Sequence, residues 1–207
     1  MADVSTVEGL NASGIADWIA SQLQAALSKQ DGPIAISVPG GSTPFPIFAE
    51  LLKRDLEFSR LLVWPGDDRI VAEDHEASNT GKIRALFEPS GAEVVTLTVM
   101  EQVPHFALVW LGMGADGHIA SLFPNTDPRV DDDHAIRRLT PDPLPPEAPF
   151  DRVTLTMPSL LASDQIMFTL GGSAEKREVF EAARRGEHDL PIARLLGAAT
   201  QPVTCFA

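Results

Sequence analysis

Apolar positions along the chain alternate between helical spacing and short continuous runs. Ile15, Trp18, Ile19, Leu23, Ala26 and Leu27 predict an amphipathic helix over residues 12–29, ending before Asp31-Gly32-Pro33. The apolar run 33–38 reads as a short buried strand. After Pro39-Gly40-Gly41-Ser42-Thr43-Pro44, residues Phe45, Ile47, Phe48, Leu51 and Leu52 return to helical spacing, with Thr43 as N-cap and Pro44 in the first turn. Residues 61–64 predict a second strand running into Pro65-Gly66-Asp67-Asp68-Arg69, and Ser78-Asn79 opens a helix to about Phe87. Residues 94–97 and 106–111 add two strands. The Asp- and Pro-dense stretch 125–149 reads as surface loop with one short element at 135–139. Beyond it, strands at 152–156 and 165–170 flank a short helix, Gly171-Gly172-Ser173 leads into a helix over 174–185, and 203–206 forms a last strand.

Strands alternating with helices predict an α/β fold: a three-layer, Rossmann-like domain with a mainly parallel sheet flanked by helices. One link strains this picture. Only Thr98 to His105 joins the strands at 94–97 and 106–111, whereas parallel neighbours need a crossover of about a dozen residues or more. Those two strands are therefore antiparallel or non-adjacent.

Composition narrows the function classes. The 207 residues suit a single domain spanning 1–207, and 44% hydrophobic with 22% charged residues is the balance of a globular protein. A formal net charge of −13 argues against nucleic acid as a partner, because a polyphosphate backbone requires clustered Lys and Arg. It also means that an anionic small molecule needs a local concentration of cations and backbone N–H groups. The single cysteine, Cys205, lies in an apolar run and reads as core. No basic segment followed by an apolar stretch opens the chain and no run has membrane-spanning length, so no membrane association and a cytoplasmic location are expected.

The richest segment chemically is Gly112-Met113-Gly114-Ala115-Asp116-Gly117-His118, which delivers an acid and an imidazole directly after an apolar strand. In open α/β sheets ligands bind beyond the carboxyl ends of strands, which places Asp116 and His118 at the rim of such a crevice. Gly40, Gly41, Ser42 and Thr43 at a strand-to-helix junction offer free N–H groups, hydroxyls and a helix dipole, a seat suited to a phosphate monoester. The turn has neither the P-loop ending nor Gly-x-Gly-x-x-Gly, so no nucleotide fingerprint applies. Asp67 and Asp68 would repel one another unless a cation or hydrogen bonds relieve them, and Arg69 supplies a cation or a fork for an oxyanion. Lys176 opposes a helix dipole in a first turn, which points to an anionic ligand that Arg152 could share, although either can be a surface charge. Asp74-His75-Glu76 lacks a second spaced pair and gives no metal site.

Taken in order, Pro39–Pro44, Asp67-Asp68-Arg69 with Ser78-Asn79, Gly112–His118 continuing through Ser121-Leu122-Phe123-Pro124, Arg152–Thr156 and Gly171–Lys176 resemble the 6-phosphogluconolactonase family. The resemblance implies the glucosamine-6-phosphate deaminase/ribose-5-phosphate isomerase type of fold. It also implies hydrolysis of 6-phospho-D-glucono-1,5-lactone to 6-phosphogluconate, the second step of the oxidative pentose phosphate pathway, with a small sugar phosphate as ligand and no cofactor. Related deaminases carry a Glu where Phe123 stands, which favours the lactonase. The chain departs from the family pattern at Pro39, at Asp68 in place of Glu, and in a link before Phe106 too short for the helix that relatives carry. On this reading His118 takes a proton from the attacking water, Asp116 supports it, Arg69 and loop amides hold developing charge, and Asp67 holds a sugar hydroxyl. The phosphate lies on Gly41, Ser42 and Thr43 with Lys176 and Arg152 as counter-charges. The alternatives are a sugar-phosphate isomerase or deaminase and, from another class, a non-catalytic sugar-phosphate sensor.

Overall fold

The computed structural model describes residues 3–146 and 148–207. Strands β1 (Val4–Val7), β2 (Ile34–Val38), β3 (Leu61–Pro65), β5 (Glu93–Val94), β6 (Phe106–Leu111), β9 (Ile166–Thr169) and β10 (Val203–Phe206) form one parallel sheet in the order β1-β10-β9-β6-β2-β3-β5. Three further strands, β4 (Asp67–Arg69), β7 (Ile136–Leu139) and β8 (Arg152–Leu155), make a small antiparallel sheet in the order β4-β8-β7.

Both faces of the large sheet are covered, which is why its strands read as unbroken apolar runs rather than alternating ones. On one face α1 (Ala12–Leu27), α2 (Pro44–Leu51) and α3 (Asn79–Phe87) pack Ile19, Leu23, Phe48, Ile83 and Phe87 against Leu108 and Trp110 of β6. On the other, α4 (Met157–Leu161), α5 (Ala174–Arg184) and α6 (Pro191–Ala198) join the antiparallel sheet, burying Leu160, Phe180, Leu195 and Leu155 against Val109 and Leu111. Each fully buried side chain of this size contributes about 1.5–3 kcal/mol of transfer free energy.

The expected three-layer, mainly parallel architecture is the observed one. The strained link resolves as non-adjacency: β5 pairs with β3 at one edge of the sheet, while β6 lies between β2 and β9. Strand β5 stops at Val94, short of the expected Leu97, so the chain leaves the edge early and has eleven residues to reach β6. The lateral step is three strand spacings, roughly 14 Å, which an extended segment of that length covers without a helix.

Several elements differ from the sequence reading. Strand β1 and helix α6 were not expected; β1 is a four-residue edge strand, and α6 is an eight-residue helix opening on Pro191 whose Ile192, Leu195 and Leu196 stand at helical spacing and are buried. Asp67–Arg69 is a strand of the second sheet rather than a loop. Helix α1 ends at Leu27 rather than 29. Thr43 sits at the start of α2 with helical φ and makes no capping bond through its side chain, so its hydroxyl is not used on the helix.

Candidate active site

The chain runs from β2 through β3 to the β5 edge, then returns to β6 and builds outward through β9 and β10 on the other side. The direction of winding therefore switches between the neighbours β2 and β6, and the crevice at such a switch, beyond the strands' carboxyl ends, is where ligands bind in α/β sheets. The turn Gly40–Thr43 follows β2 and the Asp116–His118 loop follows β6. A cleft of about 1020 Å³ opens there. It is lined by nine of the ten residues singled out from the sequence: Gly40, Gly41, Ser42, Thr43, Asp67, Arg69, His118, Arg152 and Lys176. The tenth, Asp116, stands behind His118, with Oδ1 2.6 Å from Nδ1.

The loop that holds this pair is fixed by its backbone. Gly114 N donates to His118 O at 2.9 Å and Gly117 N to Gly114 O at 3.0 Å, while Met113 and Ile119 form an antiparallel bridge. Gly117 has φ +79° and lies under Leu190; Ile192 N donates to Gly117 O at 3.1 Å, so the N-terminus of α6 buttresses the loop. Gly114 is required for a different reason: a Cβ there would lie 2.2 Å from His118 Nδ1 and 2.5 Å from Asp116 Oδ1. With Nδ1–H donated to the carboxylate, the imidazole keeps its lone pair on Nε2, the arrangement a general base needs. The hydrogen bond from His118 holds the Asp116 carboxyl below its ordinary value. The ring of Phe123 covers the imidazole, centroid to centroid 4.7 Å.

The two adjacent aspartates have separate tasks. Asp68 is buried and accepts from Ser78 Oγ (3.1 Å), Asn79 N (2.6 Å), Thr80 N (2.9 Å) and its neighbour Arg69 N (2.7 Å), tying β4 to the start of α3. Asp67 faces the cleft and accepts from Ser121 Oγ at 2.5 Å. Burial pushes its carboxyl above the ordinary value, against the opposing effects of Ser121, Arg69 and Arg152.

Arg69 and Arg152 are direct partners across the β4–β8 ladder. Arg152, only 3% exposed, donates Nη2 to Ala148 O at 2.8 Å and Nη1 to Phe150 O; burial, then the charge of Arg69, lowers its guanidinium. Arg69 donates Nη1 to Ala77 O at 2.9 Å and keeps a buried Nε without a partner among the described residues. Arg152 thus belongs with Asp67 and Arg69, while Lys176 stands at the opening turn of α5.

Charge placement singles out the same cleft. Of sixteen Lys and Arg residues, all but Lys29, Arg69, Lys82, Arg152 and Lys176 form an ion pair among the described residues, and the last four line the cleft. A chain of net charge −13 thus gathers at one place four cations that form no ion pair among the described residues, although Asp67 lies in the field of two of them, and such a concentration of cations suits an anionic ligand. Lys82 escaped the sequence reading, yet it carries the same signal as Lys176, a lysine in the first turn of a helix. Asn79 and Ser121 were read only as parts of motifs; Asn79 Nδ2 donates to Asp67 O at 3.0 Å, and its side chain fills the space a Cβ at Gly40 would take. His75 lines the cleft beside Phe150, its Nδ1 accepting from Ala77 N at 3.0 Å.

Among the described residues one trio, Asp132, Asp133 and His134, brings ligating atoms within 4.8 Å of one another, and Arg137 pairs with both of its carboxylates. No helix among the described residues is long and apolar enough to cross a membrane.

Comparison with known proteins places these features in a family. The sequence pattern described as glucosamine-6-phosphate isomerases/6-phosphogluconolactonase matches residues 10–95 and 89–204. A 6-phosphogluconolactonase of Neisseria meningitidis is 30% identical, with 94% of this chain and 92% of that protein covered, and one of Helicobacter pylori is 31% identical over 83% and 82%. Among solved structures, a 6-phosphogluconolactonase of Shewanella baltica superposes with a TM-score of 0.82 at 27% identity, covering 100% of this chain and 97% of the other. That of Thermotoga maritima reaches 0.83 at 22% identity over 100% and 99%, a likeness of fold. The chain belongs to the glucosamine-6-phosphate isomerase/6-phosphogluconolactonase family.

Proposed function

We propose that the chain hydrolyses 6-phospho-D-glucono-1,5-lactone to 6-phosphogluconate, the second step of the oxidative pentose phosphate pathway. The observation that carries this reading is the Asp116–His118 pair set in a cleft with four cations that form no ion pair among the described residues. A lactone is an activated ester, so the protein must orient it, take one proton from water and stabilise one oxyanion; no covalent nucleophile is needed. His118 Nε2 accepts a proton from the water that attacks C1. The imidazolium formed is supported by Asp116, a positioning residue that also fixes the tautomer. Arg69 stabilises the negative charge that develops on the carbonyl oxygen, with Arg152 behind it maintaining the positive field. When the tetrahedral intermediate collapses, the bond from C1 to the ring oxygen breaks and that oxygen recovers the proton from His118. Asp67 accepts a hydrogen bond from a sugar hydroxyl.

At the other end, Gly40, Gly41, Ser42 and Thr43 present N–H groups and hydroxyls to the phosphate at the start of α2, and Lys176 supplies the charge. The Thr43 hydroxyl, not used in capping, is available for this role. Binding energy at the phosphate then holds the reacting carbonyl in place, so removing the phosphate lowers turnover as well as affinity.

The family includes amino-sugar isomerases, so that reading is tested directly. Isomerisation needs proton transfers beyond the one His118 performs. The residue packed on the imidazole is Phe123, which has no proton to give. Purified protein should accelerate lactone hydrolysis over the enzyme-free rate and release no ammonia from glucosamine 6-phosphate. Ammonia release without lactonase activity would reverse the assignment. Binding of 6-phosphogluconate with no acceleration would make the protein a sensor.

A further inference from the structure

Ser121 has none of the roles given above, yet it joins the two halves of the cleft. It lies three residues after His118, is 1% exposed, and donates Oγ to Asp67 Oδ2 at 2.5 Å. Its backbone N–H donates to Thr154 Oγ1 at 3.2 Å, and Thr154 faces Asp67 across the β4–β8 ladder. The Thr154 hydroxyl hydrogen is used on Leu155 O at 3.0 Å, leaving a lone pair for Ser121. Ala120, just before, has φ +48°, a conformation L side chains rarely adopt, and this turn brings Ser121 inward.

We propose that Ser121 is a positioning residue for the reaction: its hydroxyl fixes the Asp67 carboxylate and ties it to the loop that carries His118. The inference rests on the reading that Asp67 receives a substrate hydroxyl. A carboxylate only accepts, so Ser121 must donate. A donor at this distance favours the charged form of its partner over the neutral one. The groups facing the Asp67 carboxylate are Asp68 and Arg69 from its own strand, Arg152 from β8 and Ser121 from the His118 loop, while the Asn79 amide of α3 holds the Asp67 backbone carbonyl. The two arginines and Ser121 favour ionisation; burial and Asp68 oppose it, and burial is the largest effect. Without Ser121 the balance tips further toward a protonated Asp67, whose hydroxyl competes for the lone pairs a sugar hydroxyl would meet.

The test reads Asp67 itself in the ligand-free protein. Aspartate side-chain carboxyls are labelled with 13C, the Asp67 signal is identified by its loss in Asp67→Asn, and its chemical shift is followed against pH. In Ser121→Ala the midpoint should rise by about one pH unit, the equivalent of one charge-assisted hydrogen bond. Ser121→Thr, which keeps the donor, should leave it at the wild-type value. Ser121→Cys, close in size with a weaker donor, should fall between and serves if the alanine variant does not fold. Lactone kcat/KM should fall about tenfold in Ser121→Ala, with activity recovering as pH rises. An Asp67 midpoint unmoved in Ser121→Ala or Ser121→Cys overturns the proposal. A midpoint that moves in a protein without lactonase activity would uphold the link from Ser121 to Asp67 and reject the functional reading instead.

Discussion

Replacing Gly114 by alanine isolates the geometry of the Asp116–His118 pair from everything else in the cleft. Gly114 is not among the glycines held at positive φ, so what alanine adds there is a methyl group. That methyl would sit 2.2 Å from His118 Nδ1, and ordinary contact begins near 3.4 Å. The imidazole must therefore retreat by about 1.2 Å, since the backbone of the loop is pinned at both ends. A misplacement of that order costs about 100-fold in rate, or ~2.7 kcal/mol of transition-state stabilisation. Folding stability should change far less. The two side chains are 31% and 53% exposed, and a hydrogen bond so placed contributes about 1 kcal/mol. For a chain of this size that is a fall in Tm of roughly 2–4 °C. The assay is kcat/KM for the phosphorylated lactone with the spontaneous rate subtracted, beside a thermal melt. Gly117→Ala is the control, because φ +79° and a 2.9 Å approach to Leu190 make it a stability variant first. A Gly114→Ala protein within threefold of wild-type kcat/KM would refute the argument that the imidazole's position is what matters.

Asp67→Asn should raise Tm at neutral pH while lowering hydrolysis. A carboxyl raised in the folded state binds its proton more tightly there than in the unfolded chain, so stability falls as pH rises from the ordinary carboxylate value through the raised one; melts across that window should slope downward in wild type and less so in the variant, and equal slopes would contradict this. Asp116→Asn keeps an acceptor for Nδ1–H but removes the charge that supports the imidazolium, so kcat should fall about 10–100-fold with KM little changed. Because Asp116 is lowered by its hydrogen bond from His118, the stability it confers should be present above the ordinary carboxylate value and disappear as pH drops through the lowered one, a loss absent from the asparagine variant's melts. Lys176→Ala should raise KM about tenfold for the phosphorylated lactone and leave the slow hydrolysis of unphosphorylated gluconolactone unchanged, a comparison made with the two substrates side by side.

The legible part of the fold was the part whose physics is local. Buried parallel strands need unbroken apolar runs, and β2, β6 and β9 carry them; α1, α3 and α5 each open on an Asn or Ser whose side chain accepts the bond of an N-cap. Strand β1 was hidden because an edge strand of half-buried residues needs no apolar run, whereas α6 was legible in Pro191 at its first position and in the helical spacing of Ile192, Leu195 and Leu196, and its eight residues were passed over for their shortness. At the cleft, glycine-rich turns exposed the Gly40–Thr43 and Asp116–His118 segments, since each follows directly on a buried strand, where glycines let the backbone turn at the strand's carboxyl end. What one sequence could not say is which polar groups meet. Asp67 and Asp68 are neighbours with the same chemistry, and only the ladder with β8 and the start of α3 decides that Asp68 is consumed by hydrogen bonds and Asp67 faces the cleft. Lys82 offered the same sequence signal as Lys176, a lysine in the opening turn of a helix, but only the structure shows that it lines the cleft and pairs with no carboxylate among the described residues.

The central claim is that His118 acts as the base on water at the lactone carbonyl. Its most direct test is lactone hydrolysis by wild type and His118→Ala in the same buffer across a range of pH, with the enzyme-free rate subtracted at each point. The account predicts that wild-type activity falls on the acid side, as it must when a general base is required, and that the variant loses about 100-fold or more in kcat while still binding 6-phosphogluconate. Wild-type turnover in His118→Ala would contradict it.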